Sequence, residues 1–197
     1  MTLRWRFTHL RLPMRARMKH ASNQRTSGDG ILAVVEDNGL RGLGEGAPRS
    51  YVTGDDSASG LAWLAGMEPL LREVQGLEDV HALRRTHAVD IRRNPGAWCA
   101  VELALLDLLS RRAGVTVEAL LGIPGTPETF RYTAVVSDEE GPALEKMLGR
   151  YLGAGFTDFK FKLSGDVGQD RAKLDALHAM GGDAASGFRV RLDGNNV

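Results

Sequence analysis

The sequence predicts an α+β unit, a three-stranded antiparallel sheet with helices, followed by the first strands and helices of an α/β barrel of the TIM type, incomplete in this chain. Three observations predict it. Residues 3–12 (LRWRFTHLRL) and 31–36 (ILAVVE) alternate apolar and polar side chains, and Asp37-Asn38-Gly39 supplies turn chemistry before 40–47, as in short antiparallel strands. Apolar residues then recur at helical spacing over 58–113. Beyond 126, strand patterns alternate with single helical patterns, which implies right-handed βαβ units and a parallel sheet or barrel.

Between the first two strands, 14–29 (MRARMKHASNQRTSGD) is polar and aperiodic, and reads as a long mobile loop. A second loop, Pro48 to Asp55, leads into the helices. Leu61, Leu64, Met67, Leu70 and Leu71 mark the first helix, and Val80, Leu83 and His87 the second. The strongest segment is 97–112, where Val101, Ala104, Leu105, Leu108 and Leu109 fall at i, i+3, i+4, i+7 and i+8. Three helices therefore pack beside the small sheet. The remainder reads as strand 130–136, helix 139–152 stopped by Gly153 and Gly155, strand 158–163, helix 167–180 and strand 188–193.

Composition narrows the function. With 197 residues, 43% hydrophobic and 25% charged, the chain is long enough for a sizeable core. Its 25 basic and 25 acidic side chains cancel, so no net field holds a phosphate backbone, and a nucleic-acid partner is disfavoured. The basic residues near the start, Arg4, Arg6, Arg11, Arg15, Arg17, Lys19 and Arg25, alternate with apolar residues as on the wet face of a strand. No run approaches the roughly 20 apolar residues of a membrane span, and the residues after Met1 do not resemble a signal peptide. The single cysteine, Cys99, sits in an apolar helical pattern and reads as a buried thiol in a reducing cytoplasm. His81 and His87 are six residues apart and share no helix face, so both read as surface or half-buried side chains.

Strand 158–163 carries the chemistry. Its period of two sets Phe159, Phe161 and Leu163 on one face and Lys160 and Lys162 on the other. The apolar face meets helices, so both lysines point away from them. In a sheet covered on both sides that would bury two unpaired ammonium groups, whereas a barrel opening into a polar site at its carboxyl end removes the cost. Strand 188–193 repeats the design, with Phe188, Val190 and Leu192 opposed to Arg189, Arg191 and Asp193, and Asn195 just past its end. Two lysines at i and i+2 repel, which favours the neutral amine that a general base requires. An aspartate at the end of a neighbouring strand is a hard oxygen ligand for a divalent cation.

Lys160-Phe161-Lys162, with Asp193-Gly194-Asn195 beginning 31 residues after Lys162, resembles the paired Lys-x-Lys and Asp-x-Asn motifs of the muconate-lactonizing subgroup of the enolase superfamily. The stretches Gly42-Leu43-Gly44-Glu45-Gly46-Ala47-Pro48, 100–108 and Gly153-Ala154-Gly155-Phe156 are similar to that family's capping strand, entry helix and pre-lysine turn. The resemblance covers nearly the whole chain. It implies a capping domain over 1–125 and the first units of a truncated barrel over 126–197. It also implies Mg²⁺- or Mn²⁺-dependent abstraction of a proton α to a carboxylate, an arrangement established for that superfamily.

By the same resemblance, Lys162 is the acid/base lysine, Lys160 its electrostatic partner, Asp193 the first metal ligand, and Asn195 a supporting hydrogen bonder. Loops 15–27 and 49–55 close over the substrate. The implied partner is a small carboxylate, and the complete enzyme is a cytoplasmic homo-oligomer. Family members carry two further acidic ligands and an opposing lysine in later barrel strands, so the chain alone is expected to be inactive. Taken singly, a Lys-x-Lys strand is a solvated face, Asp-Gly-Asn-Asn a turn, Glu45 a strand-end carboxylate and Asp107 a helix-surface or interdomain contact. A non-catalytic binding or assembly module, and a lysine Schiff-base enzyme, stand as alternatives.

Overall fold

The computed structural model describes residues 2–20, 23–127, 129–137 and 139–194, with backbone alone over 15–20 and 23–25. The chain divides into two compact units, one made of Met1–Pro13 with Ser27–Thr126 and the other of Met14–Thr26 with Pro127–Val197.

β1 (Arg4–His20), β2 (Asn23–Asp37) and β3 (Leu40–Gly46) form a sheet in that order, which belongs to the first unit except over 14–26. The β2–β3 register runs from Asp37 opposite Leu40 to Ile31 opposite Gly46. Asn38 and Gly39 both adopt positive φ, 46° and 80°, which the tight turn between antiparallel strands requires. The expected loop over 14–29 is instead strand up to His20 and from Asn23. A ladder is made by backbone groups, so a polar stretch without period continues it when its neighbour is already in register.

Ile31, Ala33 and Val35 face inward from β2 and meet α1 (Ser57–Leu71) and α4 (Pro95–Ala113) in one core with Leu64, Leu71, Val101, Leu105 and Leu108. Asp56 caps α1, accepting the amides of Ala58 and Ser59 at 2.8 Å each. Between them lie α2 (Leu77–Thr86) and α3 (Ala88–Arg93), and α5 (Val117–Leu120) follows α4. Three helices were expected over 58–113 and four are present. The six-residue α3 buries no side chain and so leaves no apolar period to read.

The packing of α4 on β3 rests on the absence of side chains. A Cβ on Gly42, Gly44 or Gly46 would overlap the carbonyl oxygen of Ala104, Ala100 or Gly96 respectively. The helix backbone thus lies directly against the strand, running antiparallel to it. Two strand residues advance about 6.8 Å, and four helix residues advance about 6 Å. A glycine every second residue therefore meets a helix position every fourth. Asp107 closes the seam by accepting the Leu43 amide at 2.9 Å and the Arg111 Nε at 2.8 Å. It is a clasp inside this unit.

The second unit alternates β4 (Ala134–Val136), α6 (Gly141–Gly153), β5 (Asp158–Lys162), α7 (Val167–Gly181), a 3₁₀ turn (Gly182–Gly187) and β6 (Arg189–Asp193). The strands are parallel, in the order β4-β5-β6. Strand structure begins at Ala134 rather than 130, because Ala134 already pairs with Phe159 and β5 offers a single residue upstream of it. Phe130 and Tyr132 are accordingly exposed. Phe159 and Phe161 are buried with Ala134, Val136, Leu144, Leu148 and Leu177, each of these side chains but the alanine contributing about 1.5–3 kcal/mol of transfer free energy.

Candidate active site

The strand register sets the site. Lys160 pairs with Arg191 and Lys162 with Asp193 across β5 and β6, so these four side chains share the face opposite Phe159 and Phe161. The Lys162 ammonium lies 2.6 Å from Asp193 Oδ2 and the Lys160 ammonium 2.7 Å from the same oxygen. One carboxylate oxygen therefore bridges both lysines at the carboxyl end of two parallel strands. Side-chain exposure falls from 37% at Lys160 to 18% at Lys162. Lys162 thus sits in the drier position, where charge pairing is less screened by water. Arg191 turns aside to donate to Thr133 Oγ1 at 2.9 Å.

The strand ends are fixed from behind. The Leu163 amide donates to the Asp193 carbonyl at 3.0 Å, extending the ladder one residue past β5. The Ser164 amide and hydroxyl then donate to Asp170 Oδ1 at 2.9 and 3.0 Å. Burial opposes ionisation of Asp170, but these bonds and the Lys173 ammonium at 3.0 Å outweigh it and hold the carboxyl below the usual carboxylate range. Near the amino end of the sheet, Arg189 donates to Asp158 at 2.7 Å and lowers that carboxyl as well.

The structure thus brings Lys160, Lys162 and Asp193 together, while Asn195 lies outside the described residues. Loop 15–27 is largely strand backbone. Loop 49–55 is internally bonded: the Arg49 carbonyl accepts the amides of Val52 and Thr53 at 2.8 and 2.7 Å. Its end is tied down by Asp55, 2% exposed, which accepts the Gly96 amide at the start of α4 at 2.9 Å. Sequence reasoning missed Asp55 and Lys173, both buried ionisable groups. The Pro95-Gly96 helix start could have pointed to a nearby carboxylate cap for the former.

Cys99, expected to be buried, is exposed, on the flank of α4 beside β3, with its Sγ 3.9 Å from the Glu45 carbonyl. Partial burial of its sulfur and then the Glu102 charge push the thiol above its ordinary range. His81 and His87 are half-buried. Among the described residues no three His, Cys, Asp or Glu side chains gather as a metal cluster, so Asp193 offers a single hard oxygen ligand there. No helix among them is long and apolar enough to cross a membrane.

A capping-type antiparallel sheet with helices, followed by parallel strands that present lysines and an aspartate at their carboxyl ends, defines the class to which the comparisons point. No family model matches the chain. It is 28% identical over 193 residues to the hydrophobic dipeptide epimerase of Citrifermentans bemidjiense, covering 94% of this chain and 50% of that protein. By structure it matches the N-succinyl Arg/Lys racemase of Bacillus cereus with a TM-score of 0.84 at 23% identity, over 99% of this chain and 52% of that one. The dipeptide epimerase of Methylococcus capsulatus, solved with Mg and the dipeptide L-Arg-D-Lys, gives a TM-score of 0.81 at 24% identity, over 99% and 54%.

The chain is thus similar in sequence to dipeptide epimerases and an N-succinyl-L-Arg/Lys racemase, and it shares the fold of solved epimerases and of a muconate lactonizing enzyme. It spans about half the length of the curated relatives it matches.

Proposed function

We propose that the protein carrying this chain is an isomerase or lyase that abstracts the proton α to a carboxylate, with Lys162 as the base. The carrying observation is the convergence of Lys160 and Lys162 on one oxygen of Asp193 at the ends of adjacent parallel strands. In the step, neutral Lys162 takes the α-proton, the C–H bond breaks, an N–H bond forms, and the electron pair is left as an enediolate. Lys160 remains an ammonium and offers charge to the anion as it develops. The half-buried position of Lys162 limits competition from water.

Asp193 fits a Mg²⁺ ligand as a hard carboxylate at a strand end, one member of a set that other residues complete. The metal, when bound, supplies Lewis-acid stabilisation of the substrate carboxylate. Asn195 supports the site by hydrogen bonding in the same proposal, within a capping domain over 1–125 and barrel units over 126–197. Dipeptides and N-succinyl amino acids are the substrate classes that the relatives recommend, in a cytoplasmic homo-oligomer.

The test is α-proton exchange with solvent deuterium, followed by NMR on a panel of dipeptides, N-succinyl amino acids and muconate-like acids. Lys162→Ala is expected to lower exchange on the order of 10²-fold or more, the ordinary worth of a general base. Retained exchange would remove Lys162 from that role. Asp193→Ala is expected to weaken Mg²⁺ binding in calorimetric titration, and an unchanged isotherm would take it out of the ligand set.

A further inference from the structure

Lys173 is 1% exposed, on the inner side of α7, and nothing in the reaction above uses it. Placing an ammonium there is costly, and a buried ion pair is on average no more stable than well-packed apolar side chains of the same volume. Stability alone therefore does not account for a lysine at this position, and its partners give the reason. Its Nζ lies 3.0 Å from Asp170 Oδ1 and donates to the Lys162 carbonyl at 3.3 Å.

The direction of that carbonyl follows from the ladder. In a strand, successive residues aim their backbone groups to opposite sides. The Leu163 amide reaches Asp193 on β6, so the Lys162 carbonyl points toward the β4 side. Among the described residues the last pair on that side is Val136, the end of β4, with Phe161. The carbonyl of the lysine that carries the proposed chemistry lies one residue past the Val136–Phe161 pair, and Lys173 donates to it. The same Asp170 oxygen gathers the Ser164 amide and hydroxyl, so α7 grips the chain on both sides of Leu163.

We propose that Lys173, held by Asp170, is a positioning residue that fixes the end of β5 and so holds the Lys162 side chain against Asp193. The inference rests on the proposed role of Lys162 for its catalytic meaning, while the clamp itself is a statement about the backbone. A small error in the placement of a reacting group, about 1 Å, costs on the order of 10²-fold in rate. The clamp is therefore worth its desolvation through rate rather than stability.

Hydrogen–deuterium exchange of the full chain, read at the Leu163 and Ser164 amides, tests it in Lys173→Met and in the double variant Asp170→Asn/Lys173→Met. The double variant removes the Lys173–Asp170 pair as a whole and carries the measurement where the single one folds poorly. Both amides are expected to exchange about tenfold faster than in the parent, the effect of losing a hydrogen bond to a charged group. Unchanged rates at both amides overturn the proposal. Where the protein exchanges the α-proton of L-Ala-L-Glu, kcat is expected to fall with KM nearly unchanged in both variants. Recovery of kcat in the double variant would reduce Lys173 to charge balance and likewise overturn it. Retained exchange in Lys162→Ala sinks the base assignment alone, and the amide rates still decide the clamp.

Discussion

Asp158 and Asp170 are both held below the ordinary carboxylate range, but by different surroundings. Asp158 owes this first to the hydrogen bond from Arg189, whose side chain is 59% exposed, so that salt screens the pair. Asp170 is about as exposed as Asp158 but faces a buried Lys173, and bonds from Ser164 and Lys173 overcome the burial that opposes its charge. A carboxyl depressed in the folded state adds stability that is fully present above its unfolded value of about 3.9 and is lost as pH falls through the folded one. Asp170→Asn is therefore expected to flatten the acid side of the stability curve below pH about 4, read as urea midpoints. An acid limb as steep as the parent's would contradict it.

What could be read at this scale was local. The period of two in 158–163 separated Phe159 and Phe161 from Lys160 and Lys162, because a strand alternates whatever surrounds it. Asp55 and Lys173 escaped because their burial depends on Gly96, 41 residues away, and on the Lys162 carbonyl, 11 residues away. Cys99 was placed on the wrong side of a helix whose phase was otherwise right. It stands four residues before exposed Leu103, and that spacing gave its direction.

Among the elements, the seam between β3 and α4 makes the sharpest demand on sequence. Gly44→Ala sets a Cβ against the Ala100 carbonyl and the Ala104 amide, both backbone groups of a helix that cannot yield alone. Overpacking of this kind costs about 1–3 kcal/mol and sometimes more, and a loss near or above the upper end is expected in urea denaturation. Gly66→Ala is the contrasting variant. It lies inside α1 with nothing within 4 Å of a new Cβ, so a gain of about 0.5–1 kcal/mol is expected. Equal effects of the two substitutions would show that backbone approach does not govern the seam. The glycines were legible as a motif, but their purpose was not, since a Gly-x-Gly-x-Gly strand states that something approaches without naming it. Helix α3 and the inner halves of β1 and β2 were missed for a related reason: neither displays an apolar period, and both are specified by neighbours.

Over the whole molecule, the fold class was legible because the apolar period changes twice, from two to helical spacing and then to alternating strands and helices, and each change reflects a different layer to be covered. The same bookkeeping predicts how the chain behaves in solution. On β6, Val190 and Leu192 share the face of buried Phe159 and Phe161, yet they are 42% and 56% exposed. Among the described residues β6 has one strand neighbour, so backbone groups and an apolar stripe are presented together, the combination that favours edge-to-edge association. Charge does not oppose it near neutrality, because the formal net charge is zero and the sequence pI about 7.0. Solubility of the 197-residue chain is therefore expected to be lowest near pH 7.0 and to rise on either side. Leu192→Lys is expected to raise it at that pH by adding charge to the stripe, with little change in thermal stability because the replaced side chain is more than half exposed. Static light scattering across pH on the two chains reads both effects. A Leu192→Lys chain that aggregates as the parent does would assign association to another surface.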